Sequence, residues 1–254
     1  MYGSIIGDFI GSLYKYKEFL DSSKQIINKE RRKDSSLEKE LFKDNCFFGI
    51  DTVFIMVVLD SIINKRSYEE TLEKHKENIK FFSKPEIFGS VDTGLYMIIS
   101  PIAYLYDNLD KMKEEVQKCV MTFINNNEET ITGAKAIACA IYMARKRKTK
   151  EEIKNYIESN FDYDLNFDLE ELHNNYLFSA LPTNIIPQCI YLFLISTDYE
   201  DLIRKALYIG GNTSTIAGIS GSIGEAYYKI NENWIIKAKS KLPQEFISLL
   251  DKAY

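Results

Sequence analysis

Apolar residues recur along this chain at helical spacing, three and four residues apart, rather than in strict alternation. The longest such stretches span 4–16, 50–63, 109–123, 132–147, 186–196 and 199–208. Shorter or interrupted ones span 68–82, 95–106, 150–159, 168–177, 213–228 and 244–252. Because alternation of the kind that strands need is scarce, the pattern predicts an all-α fold.

The stretch Ile209–Gly218 joins two of these predicted helices. Gly210 and Gly211 allow the backbone to turn sharply out of the first helix, and Asn212 or Thr213 is expected to cap the second. A helix start that carries side-chain oxygens suits a cation or a phosphate. The stretch contains no carboxylate, however, and this limits its chemistry as a cation site.

Two acidic residues stand next to apolar runs. Asp8 lies in the middle of the first run, so it must find a polar partner or face a cleft. Asp51, with Thr52, stands at the expected first turn of the helix over 50–63, where an anionic side chain is favourable.

Three other polar features are predicted to be solvated. The charged, Ser-rich segment 17–43 is expected to form a loop or flap at the surface. His75 and His173 lie among charged residues, and both are expected to be exposed. We therefore expect neither histidine to act as a nucleophile's base.

The bulk composition is that of a globular protein. The 254 residues are 45% hydrophobic and 27% charged, which suits a single domain over 1–254. The net charge of -5 gives no basic footprint for nucleic acid.

The chain shows no signal peptide and no apolar run long enough to cross a membrane, so a cytoplasmic protein is expected. The cysteines are expected to be reduced core thiols: Cys46, Cys119, Cys139 and Cys189.

Five stretches, read together, resemble the motifs of the ADP-ribosylglycohydrolase family. Residues 3–12 (GSIIGDFIGS) resemble GxxxGDxxGS, and residues 48–53 (FGIDTV) resemble FTDDTxxT. Residues 94–102 are similar to GNGxAMRxxPI, and residues 129–136 to the end of SHxHPExxxGAxA. Residues 193–217 resemble FExAIxxAxxxGGDTDTxA, which is the strongest match. The resemblance implies a compact, orthogonal all-α bundle whose cleft binds ADP-ribose above two magnesium ions.

The residues that the family uses are largely replaced here. The positions of its six magnesium ligands are taken by Gly49, Ile50, Asp51, Asn212, Ser214 and Thr215, so one carboxylate remains of four. Lys15 stands near a glutamate of many members. Asn125 and Asn127 replace histidines, while Thr93 and Ile98 replace an asparagine and an arginine.

These departures lead us to predict no bound cofactor and no confident catalytic residue. Magnesium, if bound at all, would have only Asp51 and Thr215 as ligands. The acids Glu18, Glu86 and Asp92 have no paired carboxylate at a suitable spacing. The predicted ligand-binding positions are Asp8, Asp51, Thr52, Thr93, Gly94, Asn125, Asn127, Gly211 and Asn212.

Three hypotheses of function remain. The first is an inactive member of the family whose cleft still binds ADP-ribose or a related nucleotide. The second is an interaction module, an inhibitor or immunity partner that holds an ADP-ribosyltransferase or an ADP-ribosylated target through 17–43. The third is a residual or altered hydrolase of a related N- or O-glycosidic bond, which Asp51→Ala should inactivate.

Overall fold

α-Helices form the regular structure, as the apolar spacing predicts, and no strand occurs among the described residues. The computed structural model describes residues 1–22, 36–82, 94–123, 127–175 and 182–254, with the backbone alone at 15–22, 82 and 182. The first helices are α1 (Tyr2–Ser22), α2 (Ile50–Asn64), α3 (Tyr68–Lys74), α4 (Lys76–Phe82), α5 (Leu95–Ile98), α6 (Ser100–Leu105) and α7 (Leu109–Phe123). The others are α8 (Glu128–Arg145), α9 (Lys150–Phe161), α10 (Leu169–Asn175), α11 (Pro182–Ile195), α12 (Tyr199–Ile209), α13 (Thr213–Tyr227), α14 (Glu232–Lys241) and α15 (Gln244–Ala253).

The number of helices differs from the expected one at three points. The stretch 68–82 is two helices, α3 and α4, that meet at His75. The stretch 95–106 is also two, and Pro101 stands in the first turn of α6, where its missing N–H costs no hydrogen bond. The sequence pattern missed α14 because only Trp234 and Ala238, one turn apart, are buried within it.

The segment 17–43 is only partly the loop that we predicted. α1 continues to Ser22, and Leu41 and Phe42 are buried in the core. Residues 23–35 lie outside the described part of the chain. The segment 17–43 is therefore not a wholly solvated flap.

The prediction that both histidines are exposed is wrong. His75 is 2% exposed and His173 is 6% exposed. His75 forms a hydrogen bond with the buried carboxylate of Asp60, Nε2 to Oδ2 at 2.8 Å. His173 stacks on Tyr208 with ring centroids 4.1 Å apart. Both partners lie outside the sequence neighbourhood on which the prediction was based.

The closest helix pair of the fold is α1 with α13. Gly7 of α1 faces the backbone of Ala217 so closely that a Cβ there would overlap the Ala217 carbonyl. Gly3 and Gly11 meet α13 in the same way, at Gly221 and at Ser214 respectively. The glycines spaced by four residues therefore let the two backbones touch along one face of α1.

The helix α5 lies between α2 and α13 and packs against both. Its Met97 fills the space beside Gly218 of α13, where a Cβ would collide with the Met97 thioether. The core is otherwise aliphatic and aromatic, and the four cysteines are buried free thiols, as predicted. In the described part of the chain, no helix has both the length and the apolar character needed to cross a membrane.

Candidate functional site

The buried Asp8 of α1 binds the start of α2. Its Oδ2 accepts hydrogen bonds from the backbone N–H of Gly49 at 2.8 Å and from Oγ1 of Thr52 at 2.7 Å. Gly49 is the N-cap residue of α2 and has no side chain with which to cap it. Asp8 therefore supplies from another helix the anionic group that the positive end of α2 favours. The expectation that Asp8 finds a partner is confirmed.

The loop before α13 has the sharp turn that its glycines predict. Gly210 and Gly211 have φ values of 78° and 72°, in the left-handed region that side chains disfavour. Asn212 is the N-cap residue of α13, which is one of the two predicted positions. The Asn212 side chain makes no capping hydrogen bond, and the Thr213 hydroxyl donates to the carbonyl of Gly11 at 2.8 Å.

The hydrogen bonds of Asp8 with Gly49 and of Thr213 with Gly11 bring the starts of α2 and α13 to one turn of α1. Asp8 and Gly11 are three residues apart, so they lie on the same face of that helix. Asp8 binds the start of α2, and Gly11 binds the start of α13. The structure thus assembles the two stretches that the resemblance assigns to metal binding, although 160 residues separate Thr52 from Asn212.

Asp51 lies against Gly94, the residue that precedes α5. It is 6% exposed, and a Cβ built on Gly94 would overlap its carboxyl group. The predicted site residues Asp51 and Gly94 are therefore in contact across two helices. Thr52 is fully buried beside them.

The donor atoms at this site are mostly neutral. Five of the six positions that the resemblance assigns to metal ligands are buried: Ile50, Asp51, Asn212, Ser214 and Thr215. The sixth, Gly49, is half-buried. Ile50 offers no lone pair, and the Ser214 hydroxyl points toward the Asn212 amide oxygen at 3.5 Å. This donor set is poor in charged oxygen, which hard dications such as Mg²⁺ prefer.

Several other predicted residues lie elsewhere or cannot be placed. Asn127 is exposed and caps α8, since its Oδ1 accepts from the N–H of Thr130 at 3.0 Å. Ile98 is buried in α5. The remaining ones fall outside the residues or side chains that the structure describes: Lys15, Glu18, Glu86, Asp92, Thr93 and Asn125.

Sequence reasoning missed a contact that supports the loop before α13. The Nδ1–H of His173 donates to the carbonyl of Tyr208 at 2.6 Å, and the two rings lie nearly parallel, at 12°. Tyr208 is two residues before Gly210, so His173 holds the end of α12 where the chain turns toward Asn212. His173 closely follows Glu170 and Glu171, and this acidic stretch gave no sign of its burial.

Adding a methyl group at Gly94 should disturb Asp51. We expect Gly94→Ala to lower the free energy of unfolding by about 2 kcal/mol, because the short, buried Asp51 side chain must leave its place. Urea unfolding measures this. In an Asp51→Ala background the same substitution should cost less than half as much, since the colliding carboxyl group is gone. Equal costs in both backgrounds would contradict the contact.

Comparison with known proteins identifies the relatives of this arrangement. The ADP-ribosylglycohydrolase family model matches residues 1–253. An uncharacterized protein of Archaeoglobus fulgidus is 25% identical over 167 residues, which are 58% of this chain and 53% of that protein. The chain thus spans about half the length of this curated relative.

A solved structure described as an ADP-ribosylglycohydrolase-related protein complex is similar in fold. The likeness has a TM-score of 0.62 at 14% sequence identity and covers 100% of this chain and 97% of that chain. At this identity the likeness concerns the fold alone. The predicted fold class is confirmed.

Proposed function

This chain belongs to the ADP-ribosylglycohydrolase family, and we propose that it has lost two-magnesium hydrolysis of ADP-ribosyl bonds while its cleft still binds ADP-ribose or a related nucleotide. The observation that carries the proposal is the donor set around the starts of α2 and α13. Asp51 is its one carboxylate at the six family positions, and the neighbouring Asp8 binds the backbone and Thr52.

Charge arithmetic supports the loss of the metal pair. Two dications about 4 Å apart repel by roughly 16 kcal/mol at an effective dielectric constant of about 20. Several carboxylates are needed to offset that repulsion. Asn212 is nearly isosteric with aspartate and Ser214 keeps a shorter side-chain oxygen, but neither contributes negative charge. The residues present do not fit a two-magnesium centre, and we derive no catalytic step through one.

Binding without hydrolysis is supported by what remains. The N-terminal ends of α2 and α13 meet the same turn of α1. The start of α2 is already bound by Asp8, so the start of α13 is the one that favours an anionic group such as a diphosphate. Asn212, Ser214 and Thr215 keep buried amide and hydroxyl groups, which suit the hydroxyls of a ribose. Because these helix starts do not depend on magnesium, nucleotide binding should not depend on it either.

Calorimetric titration with ADP-ribose tests both halves of the proposal. We expect the same affinity in magnesium and in EDTA, and weaker binding by Asn212→Leu, which removes the amide but keeps an apolar volume. The control Asn127→Leu, at the exposed cap of α8, should bind as the wild type does. Absence of binding in both buffers would contradict the retained cleft.

Activity and metal binding are measured separately. Wild-type protein should release no ADP-ribose from modified protein substrates with or without magnesium. A variant with Gly49→Thr, Ile50→Asp, Asn212→Asp and Ser214→Asp restores the family's ligands and should gain a magnesium-dependent rise in melting temperature. Magnesium-dependent release of ADP-ribose by the wild type at ordinary enzyme rates would refute the loss of hydrolysis.

A further inference from the structure

A second group of ionisable side chains lies at the far end of α2. Asp60 is fully buried there, His75 is 2% exposed at the junction of α3 and α4, and Glu245 stands at the start of α15. One ligand atom from each of these three residues lies within 4.8 Å of the other two. Three separate segments of the chain thus direct a carboxylate, an imidazole and a second carboxylate at one point.

The ammonium group of Lys74 now lies among these atoms. Its Nζ is 2.6 Å from Oδ2 of Asp60 and 3.0 Å from Oε1 of Glu245. Nε2 of His75 is 2.8 Å from the same Asp60 oxygen. A cation is therefore already held between the two carboxylates, and it is supplied by the chain itself.

We propose that this cluster is a zinc site, in which Zn²⁺ replaces the Lys74 ammonium and binds Asp60 Oδ2, His75 Nε2 and Glu245 Oε1. The Nε2 proton that His75 now donates to Asp60 is released to water when the metal binds, and the neutral ring keeps its proton on Nδ1. One imidazole and two carboxylates are ligands that Zn²⁺ accepts, with water in a fourth position. A histidine ligand disfavours Mg²⁺ and Ca²⁺, which prefer oxygen atoms alone.

Neighbouring residues hold the Asp60 carboxylate in the orientation that this requires. Its second oxygen, Oδ1, accepts from Nδ2 of Asn64 at 2.5 Å and from Nη1 of Arg66 at 3.3 Å. Oδ2 is thereby directed toward His75 and Lys74. Outer hydrogen bonds of this kind orient ligands in natural metal sites and strengthen binding.

Lys74 can leave because its side chain is not enclosed. It is 40% exposed, so its ammonium can turn into water while the metal takes its place. Its ion pairs use Asp60 Oδ2 and Glu245 Oε1, the same carboxylate oxygens that would bind the metal. Lys74 thus competes with Zn²⁺, and removing it should tighten binding.

The site is separate from the candidate nucleotide cleft. Asp60 follows Asp51 by nine residues on α2, which places it about 14 Å away along the helix axis. Zinc bound here would join α15 to α2 and to the α3–α4 junction. The proposal therefore does not depend on whether the cleft binds ADP-ribose.

Zinc titration of the full chain, stripped with chelator, tests the proposal. We expect one zinc per chain by calorimetry, about tenfold or greater loss of affinity in Glu245→Gln and His75→Gln, and about tenfold tighter binding in Lys74→Met. Glu245 has a half-exposed side chain, so Glu245→Gln should fold even if His75→Gln does not. The control is Lys76→Met, two residues away and 59% exposed, which should bind as the wild type does.

Cobalt absorption gives an independent readout. Co²⁺ should show the visible bands of a four-coordinate site in wild type and Lys74→Met, and should lose them in Glu245→Gln. The four cysteines are buried and should not compete in the folded protein. Absence of zinc binding by both wild type and Lys74→Met would overturn the proposal, as would equal affinity in wild type and Glu245→Gln.

Discussion

Replacing Gly7 with alanine should destabilise the protein by about 3 kcal/mol, although alanine is the better helix former. Alanine in place of glycine inside a helix is worth roughly 1 kcal/mol in propensity. Here the added Cβ would overlap the Ala217 carbonyl and the Gly218 nitrogen, which are backbone atoms that cannot rotate away. Because α1 and α13 would have to separate, the overpacking cost exceeds the gain in propensity.

Urea unfolding of the full chain measures this change, with Gly49→Ala as the matched control. A Cβ at Gly49 would lie 3.5 Å from Oδ1 of Asp8, an ordinary contact, and its φ of -98° suits alanine. We expect the control to cost less than about 1 kcal/mol, the small preference for glycine over alanine at an N-cap. Equal stability of Gly7→Ala and wild type would show that the two helices do not need backbone contact.

The crossing that Gly7 permits illustrates how much of the fold the sequence predicts. Glycines at 3, 7 and 11 recur at helical spacing within an apolar run, so a close partner helix could be predicted. The identity of that partner was not predicted, because pairing between 2–22 and 213–227 has no local signal in the sequence. Helix α14 was missed because only two of its side chains, Trp234 and Ala238, are buried, which is too few to show helical spacing.

The candidate site was predicted at the level of residues but not of contacts. Asp51, Gly94 and Asn212 were named from motifs, and the structure places Asp51 directly under Gly94. That Asp8 caps α2 from another helix depends on tertiary geometry, as does the absence of a side-chain capping hydrogen bond from Asn212 at the start of α13. Sequence periodicity does not report such long-range hydrogen bonds.

The errors on the histidines have the same physical origin. A residue among charges in sequence is usually solvated, but Asp60 is buried by the apolar faces of α2 and needs polar partners. His75 and Lys74 supply them from a segment that reads as a surface helix. Asp60, near the end of the long apolar run 50–63, was the available signal in the sequence that a polar partner had to be buried with it.

Asp60→Asn, measured in EDTA at neutral pH, should lower the free energy of unfolding by about 3 kcal/mol. Asparagine keeps the shape but removes the charge that Lys74, His75 and Arg66 surround. Losing one partner of a buried ionic group costs about 3–5 kcal/mol. We expect the lower end, because Lys74 and Arg66 are 40% and 43% exposed and can turn to water.

The control is Asp107→Asn, an aspartate that also pairs with two cations but is 77% exposed. Its loss should leave the urea midpoint almost unchanged, because water screens exposed ion pairs. A large effect at Asp107 equal to that at Asp60 would mean that charge alone, rather than burial, sets the cost.

The pH dependence gives the sign of the Asp60 contribution. Burial alone would raise the pKa of Asp60, but hydrogen bonds from Lys74, His75 and Asn64 outweigh it and hold the pKa below its ordinary value. The carboxylate therefore stabilises the fold fully above the unfolded-state pKa of about 4, and the contribution is lost as pH falls through the lower folded-state value. The stability difference between wild type and Asp60→Asn should shrink over that acidic range, and a constant difference would show that the cost of the substitution comes from packing rather than from charge.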